Sequence, residues 1–183
     1  MKSYADTGFL VSLYLNEATT TAANAAVQTM RQPLPLIPLG FLELRNALHL
    51  AVFRKQISEA TRAAAWRRVE LDIKNGIYVE APIGQLDLHE TAGQLAQKYT
   101  SAFGTRTLDL LHIAAAIVLK AGQFLSFDER QRQAAKREGL KLRPAQPTSR
   151  PRTRTRRVLE AVPQVASAVT RVHRNLRGQK RRK

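Results

Sequence analysis

Thr105–Leu142, TRTLDLLHIAAAIVLKAGQFLSFDERQRQAAKREGLKL, is the stretch whose reading decides the fold. Leu108 to Leu119 is an apolar run of helical length, with Thr107 expected as its N-cap and Gly122 as its stop. Phe124–Phe127 reads as a short buried strand. Asp128–Glu138 then reads as a polar amphipathic helix stopped by Gly139, and Leu140–Leu142 as a last short strand. Helix, strand, helix and strand in such quick succession is the rhythm of a parallel sheet with helical crossovers.

The same alternation runs back to the N-terminus. Lys2–Ala5 reads as a strand followed by a helix over Thr7–Leu15, and Glu17–Arg31 as a second helix ending before Pro33. Leu34–Pro38 is a short strand between prolines. Phe41–Lys55 carries Phe41, Leu44, Leu48 and Val52 at helical spacing, and Ser58 is placed to cap a helix through Lys74. Asn75-Gly76 breaks the chain before a strand at Ile77–Ala81, and Gly104 closes a helix over Leu86–Phe103. The fold class expected is α/β with a mainly parallel central sheet. In such sheets ligands gather at the carboxyl ends of the strands, where Asp6 and Asp128 fall.

A chain of 183 residues, 44% of them hydrophobic, suffices for one domain with a proper core. The lack of cysteine excludes disulfides and thiolate metal sites and suits a reducing cytoplasm. MKSYADTGFL lacks the apolar run of a signal peptide, and the apolar helix is too short to span a bilayer and carries Asp109 and His112, so a soluble protein is expected. The net charge of +16 is uneven: residues 1–145 hold 18 basic against 13 acidic side chains, residues 146–183 hold 12 basic and only Glu160. A polyanionic partner for the tail is one reading, a solvated extension the other. Pro144, Pro147, Pro151 and the run RPRTRTRR mark a basic, largely disordered C-terminal tail over 144–183, with a short helix at 158–172 interrupted by Pro163. The globular part is 1–143.

Four acids stand out: Asp6, Glu43, Asp109 and Asp128. Were they to converge, a divalent cation would be needed to offset their repulsion. Taken singly, Asp6 and Asp128 are good N-caps, and Ser126 and Glu129 are spaced around Asp128 like a capping box. Asp109 sits in a first helical turn, where the macrodipole favours it. Glu43, among Phe41, Leu42 and Leu44, has no such easy account; pairing with Arg45, reaching solvent and turning inward all stay open. His112, one turn after Asp109, either touches the site or packs its helix, with packing the preferred reading; His49 reads as a helix-packing histidine, and Arg106 either meets a substrate phosphate or makes a surface ion pair. Asp72, Asp87 and Glu90 read as helix-surface charges. No Gly-rich phosphate loop, Gly-x-Ser-x-Gly or His-Glu-x-x-His occurs, which argues against kinase, serine hydrolase and zincin chemistry.

The residues around the acids sharpen this picture. YADTGFLVSLYLNE at the N-terminus, FLELRNAL around Glu43 and the Thr105–Leu142 stretch, in this order, resemble the PIN-domain nucleases, and within them the VapC-type toxins of bacterial toxin–antitoxin pairs. The resemblance covers residues 1–143. It implies a PIN-like (Rossmann-like) α/β/α sandwich and a pocket of Asp6, Glu43, Asp109 and Asp128 for Mg2+ or Mn2+. Hard cations prefer such all-oxygen donor sets. Asp6 and Asp109 are the implied direct ligands, Glu43 and Asp128 act through water, and Thr7 and Thr107 hold the carboxylates. The implied activity is metal-dependent endoribonuclease cleavage of structured RNA such as tRNA or rRNA, by a cytoplasmic homodimer paired with a small antitoxin. A competing reading keeps the fold and drops the chemistry: an RNA-binding or scaffolding protein acting through its basic tail.

Overall fold

The computed structural model describes residues 1–145; the short helix expected at 158–172 lies outside them. In chain order the elements are β1 (Ser3–Ala5), α1 (Thr7–Tyr14), α2 (Thr20–Gln28), β2 (Leu34–Leu36), α3 (Pro38–Phe53), α4 (Glu59–Lys74), β3 (Tyr78–Glu80), α5 (Gln85–Phe103), α6 (Thr107–Val118), β4 (Gln123–Leu125), α7 (Glu129–Arg137) and β5 (Lys141–Arg143). Every strand pairing is parallel. β1 pairs β4 in the register Ser3↔Gln123 to Ala5↔Leu125, β4 pairs β5, and β2 pairs β3. β2 lies alongside β1, so the strands run β3-β2-β1-β4-β5 across the molecule. The chain steps outward in one direction from β1 and then in the other, which makes the β1/β4 junction the switch point where α/β sheets carry their crevice.

Alternation along three-residue strands sorts the core into two layers. Tyr4 and Phe124 pack with Leu95, Ile113, Ala114 and Ala135 beneath α5, α6 and α7. Ala5 and Leu125 point the other way, into Phe9, Leu44, Leu48 and Val69 of α1, α3 and α4. A parallel sheet covered on both faces needs apolar side chains on both, and β1, β2 and most of β4 are buried throughout. None of the described helices is long and apolar enough to cross a membrane.

Helix ends follow local chemistry, with corrections to the sequence reading. The Ser58 hydroxyl accepts the Thr61 N–H and starts α4 where expected, and Gly104, at φ +65°, ends α5. Gly122 does not stop α6. The left-handed residue there is Lys120 at φ +53°, and the Ala121 N–H closes back on the Ala116 carbonyl in a Schellman turn. Gly122 instead opens β4, donating its N–H to the Lys2 carbonyl. Thr107 is not the N-cap of α6; Arg106 occupies that position and Thr107 is the exposed first helical residue. Helix α2 is shorter than expected. Helix α3 begins earlier, at Pro38, whose fixed φ suits a first turn.

Candidate active site

Asp6 immediately follows β1, is 2% exposed, and caps α1 through Oδ1, which accepts the Phe9 N–H at 2.7 Å. Its Oδ2 accepts the Ser126 hydroxyl at 2.5 Å. Burial, the largest influence, pushes this carboxyl above the usual Asp range, and the nearby Asp128 adds to it; Ser126, His112 and the Phe9 N–H oppose without cancelling. Asp6 is therefore a carboxylate whose ionised form the protein leaves undercompensated.

Glu43 turns inward. Helix α3 points it back over α1, where its side chain is 20% exposed. Its Oε2 accepts the Thr7 hydroxyl at 2.9 Å and lies 2.5 Å from His112 Nε2. Burial pushes the Glu43 carboxyl up, yet the hydrogen bonds it accepts from His112 and Thr7 outweigh it and hold Glu43 below the usual range. Arg45 is not its partner: that guanidinium stacks 4.4 Å above the Trp66 ring. His112 is more than a packing histidine. It is 3% exposed, and its Nδ1 is 2.9 Å from the hydroxyl of buried Tyr4. Burial, reinforced by the charges of Asp6 and Glu43, raises the Tyr4 hydroxyl far enough to keep it protonated.

On the other side of Asp6, Ser126 and Asp128 follow β4. Ser126 is fully buried and is not the capping-box partner its spacing suggested. Its Oγ donates to Asp6 and accepts the Asp128 N–H at 3.0 Å. Asp128 caps α7, its Oδ1 accepting the N–H groups of Arg130 and Gln131. The Gln131 side chain then reaches α6, donating Nε2–H to Asp109 Oδ1 at 3.0 Å, while Asp109 Oδ2 accepts the Arg106 N–H. Thus Asp6, Asp128 and Asp109 are linked in sequence through Ser126 and Gln131, and Thr7, next to Asp6, ties in Glu43. All this lies at the carboxyl ends of β1 and β4. Thr107 is exposed and stands apart. The spacing of His112 one turn after Asp109 allows it to touch the site, though packing is the preferred reading from sequence; Tyr4 and Gln131 do not stand out in the sequence, and the available signal for Gln131 is the same, a polar residue one turn beyond Asp128.

Among the described residues no three His, Asp or Glu side chains stand grouped as a metal-ligand set; each carboxylate is directed at protein donors. The donor chemistry nevertheless fits a hard divalent cation. The acids are all oxygen ligands, and the Gln131 carbonyl oxygen is buried without a hydrogen-bond donor on the side chain that bridges Asp109 and α7.

The crystal structure of PAE2754 from Pyrobaculum aerophilum is similar in fold, with a TM-score of 0.50 and 18% identity over 78% of this chain and 83% of that one. No curated protein matches. The PIN domain family model matches residues 3–137, from the start of β1 to the end of α7, and so takes in all four acids. PIN domains are generally nucleases that use divalent metals. The chain belongs to the PIN-domain family.

Proposed function

We propose that the protein is a metal-dependent endoribonuclease, the toxin of a VapC-type toxin–antitoxin pair acting in the cytoplasm on structured RNA such as tRNA or rRNA. The observation that carries this reading is the hydrogen-bonded succession of Asp6, Ser126, Asp128, Gln131 and Asp109, with Glu43 joined through Thr7, at the strand ends of the switch point. Asp6 and Asp109 would hold a Mg2+ or Mn2+ ion, with Glu43 and Asp128 acting through water. When bound, such an ion supplies Lewis acidity and positive charge against the scissile phosphate. The chain's own contribution is positioning. Ser126 and the start of α1 fix Asp6, Thr7 and His112 fix Glu43, and Gln131 fixes Asp109 relative to Asp128. Thr107 keeps a place only as the first residue of the helix that carries Asp109. Leu42 and Leu108, exposed beside Glu43 and Asp109, offer apolar surface to an antitoxin or a second copy in a homodimer.

The test is incubation of wild-type protein and Asp6→Asn with total RNA, with and without Mn2+. Metal-dependent cleavage by wild type alone is expected. Cleavage absent from both, or equal in both, sinks the nuclease reading. A second reading, RNA binding without chemistry, is favoured by the concentration of 12 basic side chains in residues 146–183. It predicts tight, salt-sensitive RNA binding unaffected by Asp6→Asn and no cleavage.

A further inference from the structure

The polar contacts around His112 form a relay that runs from the core to the crevice. Tyr4 lies on β1 and faces the α5/α6 layer; His112 lies on α6; Glu43 lies on α3 in the opposite layer. The imidazole is therefore the group that crosses from one side of the sheet to the other at the end of β1. An ionised carboxylate only accepts hydrogen bonds, so the Nε2 beside Glu43 Oε2 carries a proton. The Thr7 hydroxyl donates to the same oxygen, which explains its 3.3 Å separation from Nε2: the two donors flank one acceptor. At the far side of the ring, the Tyr4 hydroxyl lies 2.9 Å from Nδ1. With Tyr4 donating to Nδ1 and Nε2–H donating to Glu43, each ring nitrogen has a partner.

We infer that His112 is a positioning residue for Glu43: the Tyr4 hydroxyl fixes the imidazole as its Nε2–H tautomer, and that N–H, with the Thr7 hydroxyl, locks the Glu43 carboxylate into the crevice beside Asp6. The inference rests on the reading of Glu43 as a site carboxylate. Outer partners that fix the orientation of a metal-site group act in this way, and their loss costs on the order of 10- to 100-fold in activity or metal affinity. Tyr4 is thus an anchor reaching the site through two hydrogen bonds, although it touches neither substrate nor cation.

Two measurements test this on the full chain. Long-range 1H–15N correlation spectra of the metal-free protein report which imidazole nitrogen carries the proton, whether or not the protein cuts RNA. Expected are a protonated Nε2 and an unprotonated, hydrogen-bonded Nδ1, with Tyr4→Phe moving the Nδ1 signal. A ring protonated at Nδ1, with or without a proton on Nε2, or one unmoved by Tyr4→Phe, overturns the inference. In Mn2+-dependent cleavage, His112→Ala should lower kcat on the order of 10- to 100-fold with little change in KM. His112→Gln, whose amide nitrogen reaches about as far as Nε2, should recover most of that loss. Undiminished kcat in His112→Ala, or no recovery in a folded His112→Gln, overturns it as well. If wild-type protein cuts no RNA, the nuclease reading falls, and the tautomer spectra alone decide the positioning of Glu43.

Discussion

Ser126→Ala removes one oxygen atom from the centre of the candidate site. Ser126 is 0% exposed, and its Oγ makes two bonds, donating to Asp6 Oδ2 and accepting the Asp128 N–H. A hydrogen bond to an ionised partner contributes about 1.5–3 kcal/mol and a neutral one about 0.5–1.5 kcal/mol. With Asp6 ionised, the two losses together amount to roughly 2–4 kcal/mol; with Asp6 protonated they fall to about 1–3 kcal/mol. The pH dependence follows from linkage. Burial already raises the folded pKa of Asp6, and removing a bond that favours the charged form raises it further. The extra destabilisation is therefore absent below the unfolded Asp pKa of about 3.9. It grows as pH rises through the folded value. Urea denaturation of wild type and Ser126→Ala in EDTA, at about pH 4 and pH 8, measures it. The midpoint gap should be wider at pH 8, with a melting temperature lower by several degrees at roughly 2–4 °C per kcal/mol. An equal gap at both pH values, or a variant as stable as wild type at pH 8, would falsify the claim that Ser126 supports an ionised, buried Asp6.

Asp6→Asn should be more stable than wild type at pH 8 in EDTA, because its amide oxygen still accepts the Phe9 N–H while the desolvated charge is gone. A raised carboxyl pKa means the wild-type fold loses stability as pH rises through it, so the gain should vanish below about pH 3.9; a variant less stable at pH 8 contradicts the burial argument. Deleting residues 146–183 removes 12 basic side chains and should weaken RNA binding and flatten its salt dependence, by about 0.7 in log–log slope for each single-strand phosphate the tail had neutralised. Equal affinity at every salt concentration would make the tail a solvated extension.

The elements legible in the sequence are those whose limits are set by neighbouring residues. Ser58 caps α4 and Gly104 ends α5 because a hydroxyl at the N-cap and a left-handed glycine act within one turn. Where a local rule has two solutions, the sequence misleads. Glycine is the cheaper left-handed residue, so Gly122 looks like the stop of α6, but Lys120 takes that conformation and the strand keeps the glycine. A left-handed non-glycine costs about 1–2 kcal/mol, an amount tertiary packing readily outweighs. The four acids were visible one by one, whereas their linkage was not. Tyr4 and His112 are 108 positions apart, Glu43 and His112 are 69, and Ser126 and Asp6 are 120. A buried imidazole on an apolar helix announces that it needs partners without saying which strand supplies them.

Capping and function are not rival accounts of these carboxylates. A carboxylate has two oxygens and about four acceptor positions, and a cap occupies one or two of them. Asp6 gives one oxygen to the Phe9 N–H and the other to Ser126; Asp109 divides its oxygens between Arg106 and Gln131; the Asp128 bonds to α7 fall on Oδ1. Each bond fixes a rotamer and leaves acceptor capacity, so the backbone N–H groups that open α1, α6 and α7 also set the direction of the three aspartates. Site groups held by the scaffold need no reordering when a ligand arrives, which is the physical content of preorganisation. Asparagine separates the two roles, because it caps a helix about as well as aspartate and lacks the charge. A position that tolerates Asn in folding but not in cleavage was placed by its cap and used for its charge.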